Sequence, residues 1–245
     1  VSVRFVTLAE RPDLFDRAIP RREGWPQFNL HSDIASLRWV RLSDDLPEYQ
    51  IFGLGDDDEV ICEGNAAPCW WNGSPAHLPN GIDAALTDAL ERLDDGRPTN
   101  TLCSLAAVVS PLARGTGLSV VILDAICQLA RRHGFAHVIA PVRPSLKSHY
   151  PLTPIERYST WRRADTMLFD PWMRSHERLG AVVGPPLPYS LRITGSVAEW
   201  EQWTDMVFPE SGRYVIPGGL APLSVDRGED IGRYWEPNVW MINAL

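Results

Sequence analysis

Sulfur is scarce in this 245-residue chain, with four cysteines and four methionines. Cys62, Cys69, Cys103 and Cys127 lack both the close pairing of a zinc site and the density of a disulfide scaffold, so reduced thiols and no metal are expected. Positive charge is also short. With 23 Lys and Arg against 31 Asp and Glu the net charge is −8, which argues against nucleic acid and anionic membranes as general partners and requires any anionic ligand to meet a local site. No apolar run approaches the ~20 residues of a membrane span, and the start, VSVRFVTLAERPD, has no long apolar segment, so an unexported, cytoplasmic protein is expected. Repeats, low-complexity tracts and linkers are missing too, which favours one continuous domain over residues 1–245. What the chain does have is 44% apolar residues, ten Trp and 21 Pro, enough for a sizeable core with many fixed bends.

The first hundred residues alternate short strands and helices. VRFVTLA is strand-like, RPDLFDRAI helix-like, and YQIFGLG and EVICEGNAA form a hairpin around a solvated turn at Asp56, Asp57 and Asp58. Ile82, Ala85, Leu86, Ala89 and Leu90 recur at helical spacing before a stop at Gly96. An apolar strand from Leu102 to Val109, the turn SPLARGTG, a helix from about Leu118 to His133 and the strand HVIAPV then predict a β-α-β crossover. Asp170-Pro171 is an N-cap followed by proline at the first helical position, and the helix it opens ends at Gly180. AVVG and YSLRITG are strand-like, and Ser196-x-x-Glu199 is a capping box before a helix that presents Trp200, Trp203 and Met206 on one side.

Chemistry concentrates in the segment Ala113 to Ser119, between the apolar strand and the helix. Glycines at 115 and 117 let consecutive N–H groups point at one spot, and the helix adds its own unpaired N–H groups and partial positive charge, which suits a phosphate. A nucleotide P-loop needs a Lys-Ser/Thr pair where Leu118-Ser119 stands. A dinucleotide fingerprint needs a third glycine where Val120 stands. Arg114-Gly115-Thr116-Gly117-Leu118-Ser119 instead resembles the coenzyme A pyrophosphate loop of the GNAT acyltransferases, Q/R-x-x-G-x-G/A, departing from it only at Ser119. Further segments, PVRPSLKSHYPLTPIERY, FDPWMRSHERLGA, ITGSVAEWEQWT and YWEPNVW, are similar to a subgroup of GNAT-like proteins found beside polyketide machinery, and the resemblance covers roughly residues 100 to 240.

The resemblance implies an α/β GNAT fold: a mixed, mostly antiparallel sheet splayed near Val109 and Ala140, with helices on both faces. It implies acetyl-CoA or coenzyme A as cosubstrate, with the pyrophosphate on Arg114, Gly115, Thr116, Gly117, Leu118 and Ser119 and the pantetheine along Ala107, Val108 and Val109. The family's proton-donating tyrosine falls on His176, whose unperturbed pKa near 6.5 suits proton transfer. The base is unplaced, with Glu156, Asp165 or a water chain as candidates. An enlarged basic and aromatic loop at about 143–168 and a C-terminal extension from about 190 exceed a minimal domain. In that loop His149, Tyr150, Arg162 and Arg163 are candidates to bind the substrate, a small-molecule or carrier-bound acyl acceptor. Amine acetylation leads. A malonyl-thioester decarboxylase using Arg162 or Arg163 with His149 or His176, and a non-catalytic coenzyme A-binding module, remain open, as does a homodimer.

Overall fold

The computed structural model describes residues 3–18, 25–113 and 115–245. Among these residues nine strands form one sheet: β1 (Arg4–Thr7), β2 (Gln50–Leu54), β3 (Val60–Cys69), β4 (Thr101–Val109), β5 (His137–Val142), β6 (Val182–Gly195), β7 (Gly212–Tyr214), β8 (Leu223–Asp226) and β9 (Ile231–Ala244). The order is β1-β2-β3-β4-β5-β9-β8-β7, with β6 also paired to β9, and every ladder is antiparallel except β4–β5. The helices are α1 (Ala35–Arg38), α2 (Val40–Asp45), α3 (Ile82–Asp94), α4 (Leu118–Arg132), α5 (Ile155–Tyr158), α6 (Pro171–Arg178) and α7 (Val197–Thr204). This is the mixed α/β sheet of a GNAT fold.

The period-two alternation of β4 and β5 decides which face each helix covers. Leu102 and Val138 point to one face and pack with Ile122, Ile126 and Leu129 of α4. Cys103 and Ile139 point to the other and pack with Leu86, Ala89 and Leu90 of α3. Both helices carry their apolar residues three and four apart, so each buries one stripe and leaves its charges outside. All four cysteines are free and buried, and burial pushes the Cys62 and Cys69 thiols up to about 12 and Cys127 to about 11, so none is a ready nucleophile.

Several local expectations change. RPDLFDRAI forms only a 3-10 helix, Pro12–Arg17. Asp58 is more than a solvated turn: its carboxylate receives Arg4, Arg11 and Arg17 and ties the hairpin tip to the N-terminal segment. AVVG and YSLRITG belong to one strand, β6, because register shifts between Val183 and Pro186 and between Leu187 and Leu191 absorb prolines that cannot donate to the ladder. The Ser196–Glu199 capping box is present, but α7 ends at Thr204, and Asp205, at φ +53°, turns the chain before Met206.

Two irregularities open the sheet. The β4–β5 ladder runs only from Thr101↔His137 to Cys103↔Ile139 and then stops, so Ser104–Val109 separates from Ala140–Val142. At the same level Asn65 pairs Ala106 and Ala66 pairs Ser104, which leaves Leu105 as the extra residue of a bulge in β4. Farther along, β9 pairs β5 over 239–244 and β8 over 231–233, and Tyr234–Asn238 between these ladders has no strand partner on that side among the described residues.

Candidate active site

The splay leads from the surface to the interior through two connected spaces. A groove of about 300 Å³ is lined by Ala107, Val108 and Val109 of β4, by Ser119, and by Trp172 and Ser175 of α6. A cavity of about 490 Å³ follows, lined among others by Ser104–Ala107, Ala140–Arg143, His176, Glu236 and Asn238. Ala107, Ser145 and Trp172 border both.

At the outer end, Gly115 has φ +79° and Gly117, the N-cap of α4, has φ +87°, a backbone that side-chain-bearing residues rarely adopt. A Cβ built on either would meet nothing within 4 Å, so the loop curls around open space. Thr116 Oγ1 donates to the Ala113 carbonyl at 2.7 Å and holds the turn. In the first turn of α4, Val120 N donates to the Gly117 carbonyl at 3.0 Å, and the positive end of the helix dipole lies at the glycine turn. Ser119 and Ser175 stand 3.2 Å apart through their hydroxyls and join the start of α4 to the middle of α6. Arg114 lies outside the described residues.

His176 is buried and reaches the cavity from α6, with its ring edge-on to Trp172 at 5.2 Å between centroids. Desolvation lowers its pKa to about 3, so at neutral pH it is a neutral imidazole and not the partly charged ring expected from an unperturbed value. The folded protein keeps the ring neutral down to about pH 3, whereas the unfolded chain protonates it below about 6.5. Between these values the unfolded state binds the extra proton. Stability is therefore full above pH 6.5 and falls on acidification toward pH 3, at up to about 1.4 kcal/mol per pH unit. Urea titrations of wild type and His176→Gln at pH 7 and pH 5 should show a steeper acid loss in the wild type; parallel losses would contradict the burial of the ring.

The polar end of the cavity is built by the unpaired stretch of β9. Glu236, 1% exposed, accepts from Arg143 Nε, from Tyr234 Oη and from Asn29 Nδ2, the last at 3.2 Å. Arg143 also donates to the Gly218 carbonyl at 2.6 Å. Among the described residues lining the cavity, Arg143 and Glu236 alone carry full charge, and they compensate each other.

The structure does not bring the four substrate candidates of the basic loop to this cavity. Arg162 is exposed and paired with Glu177, and Arg163 is exposed and paired with Asp165. His149 is exposed, and Tyr150 packs against Tyr158, Trp161 and Phe169. Ion pairs hold the two arginines on the surface, and a ring cluster holds Tyr150. Arg162 and Arg163, either of which the decarboxylation reading would use, and the candidate bases Glu156 and Asp165 are all exposed and outside the cavity lining. Lys147 departs furthest from a solvated loop. It is 1% exposed, donates to the Tyr150 and Leu220 carbonyls at 2.8 and 2.6 Å, and burial lowers its pKa to about 8. Reasoning from sequence missed Glu236, Asn238 and Asn29. The period-two polar series Tyr234, Glu236, Asn238 inside an apolar strand was the available signal.

The chain thus has a sheet splayed beside a glycine turn and a groove leading on to a half-open cavity, the arrangement that the resemblance to the GNAT acyltransferases implies. The arginine N-acetyltransferase avaD of Aspergillus versicolor is 30% identical over 273 residues, covering 98% of this chain and 93% of that protein. The loading GNATL domain of CurA from Lyngbya majuscula has the same fold at a TM-score of 0.56 and 14% identity, covering 99% of this chain and 96% of that one. The GphF GNAT-like decarboxylase in complex with isobutyryl-CoA matches at 0.56 and 16%, covering 100% and 99%. No family model matches the chain. The chain belongs to the GNAT superfamily, and it is an acyl-CoA-dependent N-acetyltransferase. Among the described residues no group of His, Cys, Asp and Glu could hold a metal ion, and no helix is long and apolar enough to cross a membrane.

Proposed function

We propose that the chain acetylates an amino group of arginine or an arginine-derived amine, in the cavity behind the β4–β5 splay. The observation that carries this is the placement of a buried carboxylate, Glu236, in the wall of a cavity that shares Ala107 and Trp172 with the groove beside Ala107–Val109. The avaD relative supports the acceptor class. The Gly115–Ser119 backbone binds the pyrophosphate of acetyl-CoA, and the unpaired edge of β4 after Cys103 binds the pantetheine amides. The thioester then lies beside the bulge at Leu105, and the acceptor enters the 490 Å³ cavity.

Glu236, directly or through a water, takes the proton of the attacking amine. His176 is neutral, so it acts by donating an N–H hydrogen bond to the departing sulfur and not as an imidazolium acid.

The test is thiol release from acetyl-CoA with a panel of arginine, agmatine, lysine, spermidine and tryptamine, the products identified by mass spectrometry. Acetylation should be strongest with the arginine-type amines, and Glu236→Gln should lower kcat by about 10²–10⁴-fold with acetyl-CoA binding kept. Equal turnover of all five amines, or a Glu236→Gln variant with normal kcat, would refute the reading.

A further inference from the structure

Glu236 and Asn238 are two residues apart on β9 and so share one face of the strand. Asn238 is fully buried in the cavity wall, and neither its Nδ2 nor its Oδ1 has a partner. Its neighbour across the cavity wall, Asn29, is half paired. Asn29 Nδ2 donates to Glu236, and since a carboxylate only accepts, this bond fixes which end of the Asn29 carboxamide is oxygen. Asn29 Oδ1 is buried and unfilled. Buried polar groups are nearly always paired, so three unfilled atoms on two residues of the lining of a ligand-sized cavity mark a place where small side-chain rotations would let a ligand supply the partners.

The unfilled set has a definite chemistry: two carbonyl oxygens that accept and one amide nitrogen that donates. The cavity offers no uncompensated charge beside them, because Arg143 and Glu236 neutralise each other and His176 is neutral. A carboxylate has only acceptors, which would face the oxygens of Asn29 and Asn238. An ammonium or guanidinium has only donors, which would leave Asn238 Nδ2 unfilled. A carboxamide or peptide edge, with an N–H beside a C=O, fills both kinds.

We propose that Asn238, with Asn29, reads an amide edge on the acceptor, so that the preferred substrate is an amine whose neighbouring carbonyl is an amide and not a free acid. This rests on the acetyl-transfer reading above and names the substrate class for the same cavity. Asn238 is a specificity-determining residue here, since it touches the part of the acceptor that does not react.

L-argininamide, L-arginine and agmatine share the guanidinium and differ only in carrying an amide, a carboxylate or nothing at the α-carbon. Initial rates with acetyl-CoA should give a kcat/KM for argininamide about tenfold or more above both others. Asn238→Leu should remove that preference, lowering kcat/KM for argininamide by about tenfold or more while changing agmatine by less than about threefold. Asn238→Gln keeps the chemistry and tests whether the reach matters, and it should retain part of the preference. Calorimetric binding of acetyl-CoA should be unchanged in all three proteins.

A wild type that favours arginine or agmatine, or an Asn238→Leu variant that keeps the argininamide preference, overturns the proposal with acetyl transfer intact. If Asn238→Leu is only more stable to urea, with all three ratios unchanged, Asn238 is a wall residue and the proposal fails. Absence of transfer to any of the three amines, with acetyl-CoA bound normally, overturns the acceptor reading as well.

Discussion

Gly117→Val should raise the Kd for acetyl-CoA by at least about 100-fold and leave the protein folded. Gly117 sits at φ +87°, and a β-branched residue there is held against its preference at a cost of about 1–2 kcal/mol. That is too little to unfold a domain of this size. The Cβ would meet no protein atom within 4 Å, so the substitution leaves the surroundings intact and puts its methyl groups into the open side of the turn, where a phosphate must approach the backbone. Calorimetry with acetyl-CoA, alongside circular dichroism, separates loss of binding from loss of fold. Ser119→Ala serves as a control: it removes only the 3.2 Å contact to Ser175, and binding should stay within about threefold of wild type. A Gly117→Val protein that binds acetyl-CoA normally would mean that the pyrophosphate lies elsewhere.

Asp170→Ala should be the most destabilising substitution near the site, by about 3–5 kcal/mol, since a lost N-cap costs ~1 and each stranded buried donor adds about 1–3. The carboxylate is 2% exposed and gathers donors from three parts of the chain. Trp172 N at 3.0 Å and Met173 N at 3.2 Å are first-turn amides of α6; Leu146 N at 2.8 Å comes from the loop after β5 and Tyr158 Oη at 2.8 Å from α5. Burial, reinforced by the adjacent carboxylate, holds the Tyr158 hydroxyl protonated, so it donates at every working pH. Because α6 carries Ser175 and His176, loosening its start should lower kcat well below the melting temperature. Urea denaturation measures the first effect and steady-state kinetics at 15 °C the second. A loss under 1 kcal/mol would show that this junction is not what fixes the helix.

The parts of this molecule that the sequence predicts are those whose causes are local. The helix α4, its glycine turn and the strands on either side follow from spacing within residues 101–142, and the Asp170 and Ser196 caps from four residues each. The resemblance to the coenzyme A loop used the same stretch. The cavity is different, because Asn29, Ser104–Ala107, Ala140–Arg143, His176 and Glu236–Asn238 come from five separated segments that only strand pairing unites. Charge counting then misled in a specific way. Arg163 has Asp165 two residues away and Arg162 has Glu177 on α6, so the conspicuous cations are already paired, while Arg143, the least conspicuous of the loop, sits at the end of β5 and reaches the cavity. The buried state of Lys147 was invisible because its partners are carbonyls, and those leave no mark in a sequence.

The end of the β4–β5 ladder at Cys103 and Ile139 leaves two free strand margins facing each other in the middle of the sheet and not at its rim. Free margins ordinarily recruit other polypeptides. These are recessed between β3 on one flank and β9 on the other, so a guest must be narrow, extended and studded with amides to reach them. A thin linear molecule of that kind would dock as a temporary strand, closing a sheet that is otherwise two halves held together by three residue pairs. Occupancy should then be legible in the backbone itself, as slowed amide exchange along Ser104–Val109 and Ala140–Val142, before any chemistry takes place.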